Sequence, residues 1–237
     1  MFFKLLNNSV VLAYKNFGAV AVSNIVWLLA VVPLAGLMWL YLNLYLSPGI
    51  WFILSVIVFS VLVNPVTVGV MAVADRLTKN DYSVRWRDIF ELTKKYYVRS
   101  AVMTFIVFLI YLIIFFNTVF YFSNTIKIFP RELNILLGVL WLWGGIFIMA
   151  VQMYFWPLFV MQNTSMLDLV RVSFLLLWAN LEKSFVVMLV LALLIFLCVI
   201  TGIGGLVFLI TLPSIYLILY IEQVTQITAE KIKRVLK

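Results

Sequence analysis

Few residues of this sequence could carry chemistry, and several common catalytic sets are missing. The chain has no histidine and a single cysteine, Cys198. Ser-His pairs, HExxH zinc sites and imidazole acid–base catalysis are therefore excluded. Cys198 lies in an apolar run without a basic neighbour in sequence to favour its thiolate, which is typical of a small buried hydrophobic residue. We expect a protein that is not an enzyme and that uses no metal or cofactor.

The polar groups inside the long apolar runs are amides and hydroxyls, such as Asn24 and Asn43. In helix bundles these mostly form interhelical hydrogen bonds, each worth about 1 kcal/mol or less. A sharper hypothesis is a site for a small neutral solute beside prolines, because proline leaves a backbone carbonyl without its usual partner. The candidate residues for helix breaks or a polar pocket are Asn64, Pro65, Thr67, Gln152, Pro157, Thr211 and Pro213.

The elements that position these residues are six apolar runs. Hydrophobic residues make up 66% of the 237 residues and charged residues 11%, whereas soluble domains average about 45–50% and about 25%. A bilayer accepts such a chain, and each crossing needs roughly 20 apolar residues. We predict an all-α polytopic membrane protein, a single transmembrane domain over residues 1–237. Its predicted spans are 17–46, 50–74, 100–122, 133–161, 184–200 and 205–221.

The basic residues fall almost entirely on one side of these runs. Fifteen of the 17 lysines and arginines precede the first predicted span, follow the sixth, or lie in the second–third and fourth–fifth connections; only Lys127 and Arg131 lie on the other side. The positive-inside rule therefore predicts a multi-pass cell-membrane protein with both termini in the cytoplasm. The net charge of +8 then reflects topology, so we expect the lipid bilayer as a partner and no nucleic acid.

A threefold pattern runs along the chain. The second, fourth and sixth predicted spans each contain a proline, namely Pro65, Pro157 and Pro213, and a partly polar, amphipathic stretch precedes each odd span. This pattern predicts three hairpins preceded by interfacial helices, with possible repeat units 1–74, 75–161 and 162–237. Three ordinary hairpins with ordinary helix kinks are the alternative. In either case each proline is expected to kink or interrupt its helix.

The amphipathic stretch at residues 83–99 is the best defined of the three. Its aromatic residues follow helical spacing, and its charges occupy the other side. We expect a separate surface helix at the headgroup boundary that serves either as a membrane anchor or as a docking surface. The candidate interfacial or partner surface consists of Trp86, Phe90, Lys94 and Lys95. In the third stretch, Ser165 and Asp168 have capping-box spacing and predict a helix start.

Several passages resemble the YesL-like family of bacterial membrane proteins, a domain-of-unknown-function family. The first is NIVWLL at 24–29 with Pro33, and the second is NPVTVG at 64–69 with ADRL at 74–77. The others are WRDIF at 86–90 with KKY at 94–96, and YFWPL at 154–158 with LEKSF at 181–185. The family usually has glycine where this chain has Asn64. The resemblance implies an accessory membrane component linked with carbohydrate uptake, and it carries over no catalytic residue.

These observations lead to two functional hypotheses. The first is a non-enzymatic accessory or assembly protein associated with solute uptake, whose partner is another membrane protein such as a transporter. The second is a carrier for a small neutral solute or lipid that uses the proline-broken helices. A carrier requires a polar pocket near the middle of the membrane, lined by Asn64, Thr67, Gln152 or Thr211, whereas an accessory protein does not.

Overall fold

The fold is described from a computed structural model that covers residues 2–44, 47–79, 84–123, 130–162, 165–202 and 208–235, with backbone alone at 44, 48–49 and 227–235. Within these residues the chain is helical and contains no strand. The helices are α1 (Phe2–Lys15), α2 (Phe17–Leu44), α3 (Pro48–Val58), α4 (Asn64–Thr78), α5 (Asp88–Phe122), α6 (Arg131–Met161), α7 (Met166–Ala179), α8 (Leu181–Ile200) and α9 (Thr211–Val235).

Five segments of the described chain are long and apolar enough to cross a membrane. They are Phe17–Asn43, Ile50–Thr78, Asp88–Phe122, Arg131–Met161 and Leu181–Ile200. The second joins α3 to α4 through a π-helical turn, Phe59–Val63. Many of their large apolar side chains are exposed on the isolated chain, as expected where lipid covers the surface. The prediction of an all-α polytopic membrane protein is confirmed.

The sixth predicted span, 205–221, differs from the other five. Of its residues the structure describes 208–221, and α9 begins only at Thr211. From there to Glu222 the apolar part measures about 16 Å at roughly 1.5 Å per residue, about half of a hydrocarbon core. Residues 211–218 are all buried. Because a helix that is apolar on every side is stable inside a bundle, this segment is a central buried helix of the bundle.

The expectation of a separate surface helix at 83–99 is wrong for the residues that the structure describes. Helix α5 runs without interruption for 35 residues from Asp88. Its sequence contains neither glycine nor proline, so nothing breaks the backbone ladder between the amphipathic stretch and the span. At about 52 Å the helix exceeds the roughly 30 Å of a hydrocarbon core. Its charged N-terminal part therefore extends beyond the hydrocarbon.

The other two amphipathic stretches do form helices of their own. Helix α1 ends at Lys15 and packs along α9, while α7 packs against α6, where the rings of Phe147 and Phe174 lie 5.5 Å apart. The predicted start of α7 is confirmed, since Ser165 caps it and its hydroxyl accepts from the Asp168 amide at 3.2 Å. The chain turns at Asn180 before α8 begins.

The three prolines occupy different positions. Pro65 follows the π-helical turn and is the second residue of α4, in a segment that stays helical from Ile50 to Thr78. The wider turn accommodates a residue that cannot donate a backbone hydrogen bond. Pro157 lies within α6, which continues through it. Pro213 lies in the first turn of α9, where its missing donor would have no intrahelical partner.

Helix α4 packs against α5, α6 and α9, and α9 also packs against α6. Gly69 of α4 marks the closest approach to α5, because an added Cβ would overlap the Thr93 hydroxyl and lie 3.1 Å from the Thr93 Cα. The largest fully buried side chains include Tyr154 and Phe159 of α6 with Tyr216 and Tyr220 of α9. The core therefore lies where α4, α6 and α9 meet.

Candidate functional site

The N-terminus of α9 is capped by a side chain from another helix. The side-chain oxygen of Asn24, in α2, accepts from the backbone amides of Ile210 and Thr211 at 2.9 and 3.4 Å. Its amide nitrogen donates to the Thr211 hydroxyl at 2.6 Å and to the Val20 carbonyl at 2.8 Å. Asn24 is fully buried. It satisfies amides at the start of α9 that would otherwise be orphaned.

A second set of hydrogen bonds crosses from α2 through α4 to α5. The Trp27 indole donates to the Thr67 hydroxyl at 2.9 Å, and Thr67 donates to the Val63 carbonyl at 2.8 Å, beside the π-helical turn. One helical turn earlier in α4, the Asn64 amide donates to the Thr104 hydroxyl. Asn64 and Thr67 are thus both engaged by neighbouring helices.

Helix α6 is connected to its neighbours in the same way. Gln152 donates to the Tyr111 hydroxyl of α5 at 2.8 Å and accepts from the Trp156 indole at 3.4 Å. Further along α6, the Tyr154 hydroxyl forms hydrogen bonds with the hydroxyls of Ser184 in α8, at 2.6 Å, and Tyr220 in α9, at 3.0 Å. The hydrogen bonds among Tyr154, Ser184 and Tyr220 were not predicted from the sequence, since tyrosine is common in membrane proteins.

The residues proposed for a polar pocket form hydrogen bonds between helices. Thr211, Thr67 and Asn64 belong to the row of bonds that joins α9, α2, α4 and α5, whereas Gln152 lies in the separate α5–α6 contact. Each polar group is hydrogen-bonded to a partner on another helix. Four cavities at the surface of the described chain are lined by other residues. Pro65, Pro157 and Pro213 are buried.

A charged cluster lies at the C-terminal end of α4, next to Glu222 near the middle of α9. Asp75 is buried and accepts from the Lys79 ammonium at 2.7 Å, while its other oxygen has no hydrogen-bond partner among the described residues. Arg76 pairs with Asp88 of α5 at 3.4 Å. Burial raises the pKa of Glu222; the negative charge of Asp75 raises it further, and Lys79 opposes both effects. No role for Asp75 or Glu222 was predicted from the sequence.

Two cavities flank α1. A polar one of about 300 Å³ lies beside Glu222 and is lined by Lys4, Leu5, Asn8, Leu219, Glu222, Gln223 and Gln226. An apolar one of about 330 Å³ is lined by Val10, Ala13, Tyr14, Leu194, Leu197, Cys198, Thr201, Phe208 and Leu212. Within the described ranges no three acidic, cysteine or histidine residues come together as metal ligands would.

The predicted partner surface on α5 is divided between two faces. Phe90 and Lys94 line a cavity of about 560 Å³ with residues of α2 and α4, and Trp86 lines an adjacent cavity of about 510 Å³. Lys95 lies on the outer face, one turn after Glu91, with its ammonium 5.1 Å from the Tyr96 ring centroid. Trp86, Phe90, Lys94 and Lys95 are all exposed.

Comparison with known proteins adds no relative. No family model, no curated protein and no solved structure matches this chain. The class that the fold defines is a multi-pass helical membrane protein.

Proposed function

We propose that this chain is a non-enzymatic integral membrane protein, an accessory or assembly component associated with solute uptake. The main support is that polar side chains within the spans form hydrogen bonds with polar side chains of neighbouring helices. Asn24 of α2 bonds to α9, while Asn64 of α4 and Gln152 of α6 both bond to α5. Such bonds fix helices relative to each other, which suits a scaffold that presents surfaces.

A carrier for a small neutral solute or lipid is the weaker candidate. The row that contains Thr211, Thr67 and Asn64 joins four helices. A solute that replaced these bonds would have to compensate for each buried group left unpaired, at a cost of about 1–3 kcal/mol per group. Helices that rock during alternating access would break several of them together. The resemblance to the YesL-like family also favours an accessory component, linked with carbohydrate uptake.

The proposed orientation places both termini in the cytoplasm. Its support is the distribution of the basic residues, with fifteen of 17 on one side of the predicted spans. The N-terminal part of α5, with Lys94 and Lys95, and the segment just before it, with Arg85 and Arg87, then lie at the cytoplasmic headgroup level. Lys127, one of the two exceptions, lies outside the described residues.

The proposed docking surface is the outer face of α5. Glu91, Lys95 and Val98 follow helical spacing and are exposed, with Val98 at 72%. Mixed charge beside an exposed apolar side chain is the pattern of an interface rim next to its core. The proposed partner is a membrane protein of a solute uptake system, such as a transporter.

Co-purification tests this proposal. The protein is isolated from its native membranes in mild detergent, and associated membrane proteins are quantified for the wild type, for Lys95→Glu and for Arg171→Glu. Arg171 is an exposed basic residue of α7 and provides the matched control. We expect an uptake component that is retained by wild type and by Arg171→Glu and reduced about tenfold by Lys95→Glu, since reversing a contact charge costs on the order of 1–2 kcal/mol.

The expected loss must occur with equal protein yield and an unchanged elution volume of the purified variants. The proposal fails if no uptake component is enriched with the wild type. It fails equally if Lys95→Glu retains that component as well as Arg171→Glu does.

A further inference from the structure

A groove runs between α2 and the start of α5. Its first part is lined by Gly18, Ala19, Val22, Val84, Arg85, Trp86 and Arg87, and its second by Val26, Val66, Phe90, Thr93, Lys94, Tyr97 and Val98. Val22 and Val26 are one helical turn apart on α2, and the rings of Trp86 and Phe90 lie 6.5 Å apart. The two cavities, of about 510 and 560 Å³, therefore lie end to end.

The charge of this groove is positive. Arg85, Arg87 and Lys94 line it, and all three are exposed and form no salt bridge within the part of the chain that the structure describes. The nearest acidic side chain, Asp88, is already engaged, because it pairs with Arg76 and accepts from the Arg85 amide at 2.9 Å. The Arg87 guanidinium lies 5.0 Å from the centroid of the Trp86 ring, which holds it at the groove wall.

The position of the groove along α5 matches the boundary between headgroups and hydrocarbon. The charged residues of α5 end at Arg99, and the helix continues to Phe122 without another charge. The groove therefore passes from the arginines, at headgroup depth, to Tyr97 and Val98, at the level where acyl chains begin. Its second part is mainly apolar, with Val26 and Val66 on the facing helices.

We propose that this groove binds one anionic phospholipid. Its phosphate lies among Arg85, Arg87 and Lys94, and an acyl chain lies along Phe90, Tyr97 and Val26. Basic pockets between membrane helices have the charge and depth that such lipids require. Lys95 does not line the groove, so its substitution tests the partner separately from the lipid, although Val98 borders both surfaces.

Native mass spectrometry of the full-length protein in detergent tests the proposal, with phosphatidylglycerol and phosphatidylcholine of identical acyl chains as probes. We expect one phosphatidylglycerol bound at least tenfold more tightly than phosphatidylcholine. Arg85→Gln with Arg87→Gln should weaken phosphatidylglycerol binding about tenfold or more, since each basic residue near the headgroups contributes about 1 kcal/mol. Phosphatidylcholine binding should not change.

Two further variants separate the groove from general charge. Arg171→Gln with Lys183→Gln removes two positive charges from α7 and α8 and should alter phosphatidylglycerol binding less than twofold. Val26→Trp fills the apolar part while leaving the arginines in place, and it should weaken binding of both lipids. Equal affinity for the two lipids in the wild type would overturn the proposal, as would full phosphatidylglycerol affinity in the Arg85/Arg87 variant. Equal losses in the groove and control variants would show a nonspecific charge effect and would also overturn it.

Discussion

At the scale of single residues, Gly69 shows how closely α4 and α5 approach. Gly69→Ala places a methyl group against the Thr93 hydroxyl and 3.1 Å from the Thr93 Cα, which is backbone and cannot move alone. We expect a loss of about 1–3 kcal/mol in the free energy of unfolding, measured by unfolding the purified protein in mixed detergent micelles. Gly36→Ala in α2 is the control, because its Cβ would meet nothing within 4 Å.

Gly36→Ala should be neutral or stabilising by up to about 1 kcal/mol, the helix-propensity difference between the two residues. If both variants unfold alike, the close α4–α5 contact at Gly69 is wrong. A partial recovery of stability in Gly69→Ala with Thr93→Ala would further locate the clash at this pair, since the second change removes the hydroxyl.

Residue types were readable from the sequence, but residue pairs were not. The amides and hydroxyls of the spans were expected to form interhelical bonds, as Asn64 with Thr104 and Gln152 with Tyr111 do. Asn24 and Thr211 are 187 positions apart, and no periodicity relates residues so distant. The capping role of Asn24 depends on where α9 begins in space, which local sequence patterns do not determine.

At the scale of elements, helix boundaries followed the local breaking and capping signals. Ser165 starts α7, and Pro65 lies next to the π-helical turn. Polarity alone led to the wrong prediction of a separate helix before the third span. A change from charged to apolar residues does not end a helix where glycine, proline and a cap are absent. Helix α5 therefore continues from Asp88 to Phe122.

The continuity of α5 can be measured as a distance. Spin labels at Glu91→Cys and Phe116→Cys, on a Cys198→Ser background, should be about 38 Å apart if the helix is continuous, at roughly 1.5 Å per residue. A surface helix turning by a right angle at Arg99 would bring them to about 28 Å by the same rise per residue. Double electron–electron resonance on the labelled protein in vesicles distinguishes these two distances.

A control pair at Val102→Cys and Phe116→Cys lies within the span and should give about 21 Å in either case at the same rise per residue. A short distance for the first pair together with the expected distance for the control would contradict a continuous α5.

At the scale of the whole molecule, helices of the apolar spans pack against α9, whose first turns are buried. Composition and charge were sufficient to predict the class of protein, because 66% hydrophobic residues leave few alternatives to a bilayer. They were not sufficient to distinguish a lipid-facing span from a buried helix, since both are continuous apolar runs. Residues 211–218 are buried on every side, which only the packing of the other helices reveals.

The buried start of α9 under the Asn24 cap is tested most directly by comparing the unfolding of Asn24→Ala and Asn43→Ala. Both residues are asparagines of α2, but Asn43 is exposed and, among the described residues, donates to the Trp39 carbonyl of its own helix at 2.8 Å. Asn24→Ala should lower the free energy of unfolding by about 2–4 kcal/mol, because the buried amides of Ile210 and Thr211 lose their acceptor. Asn43→Ala should change it by less than about 0.5 kcal/mol. Equal stability of the two variants would contradict a capped, buried α9.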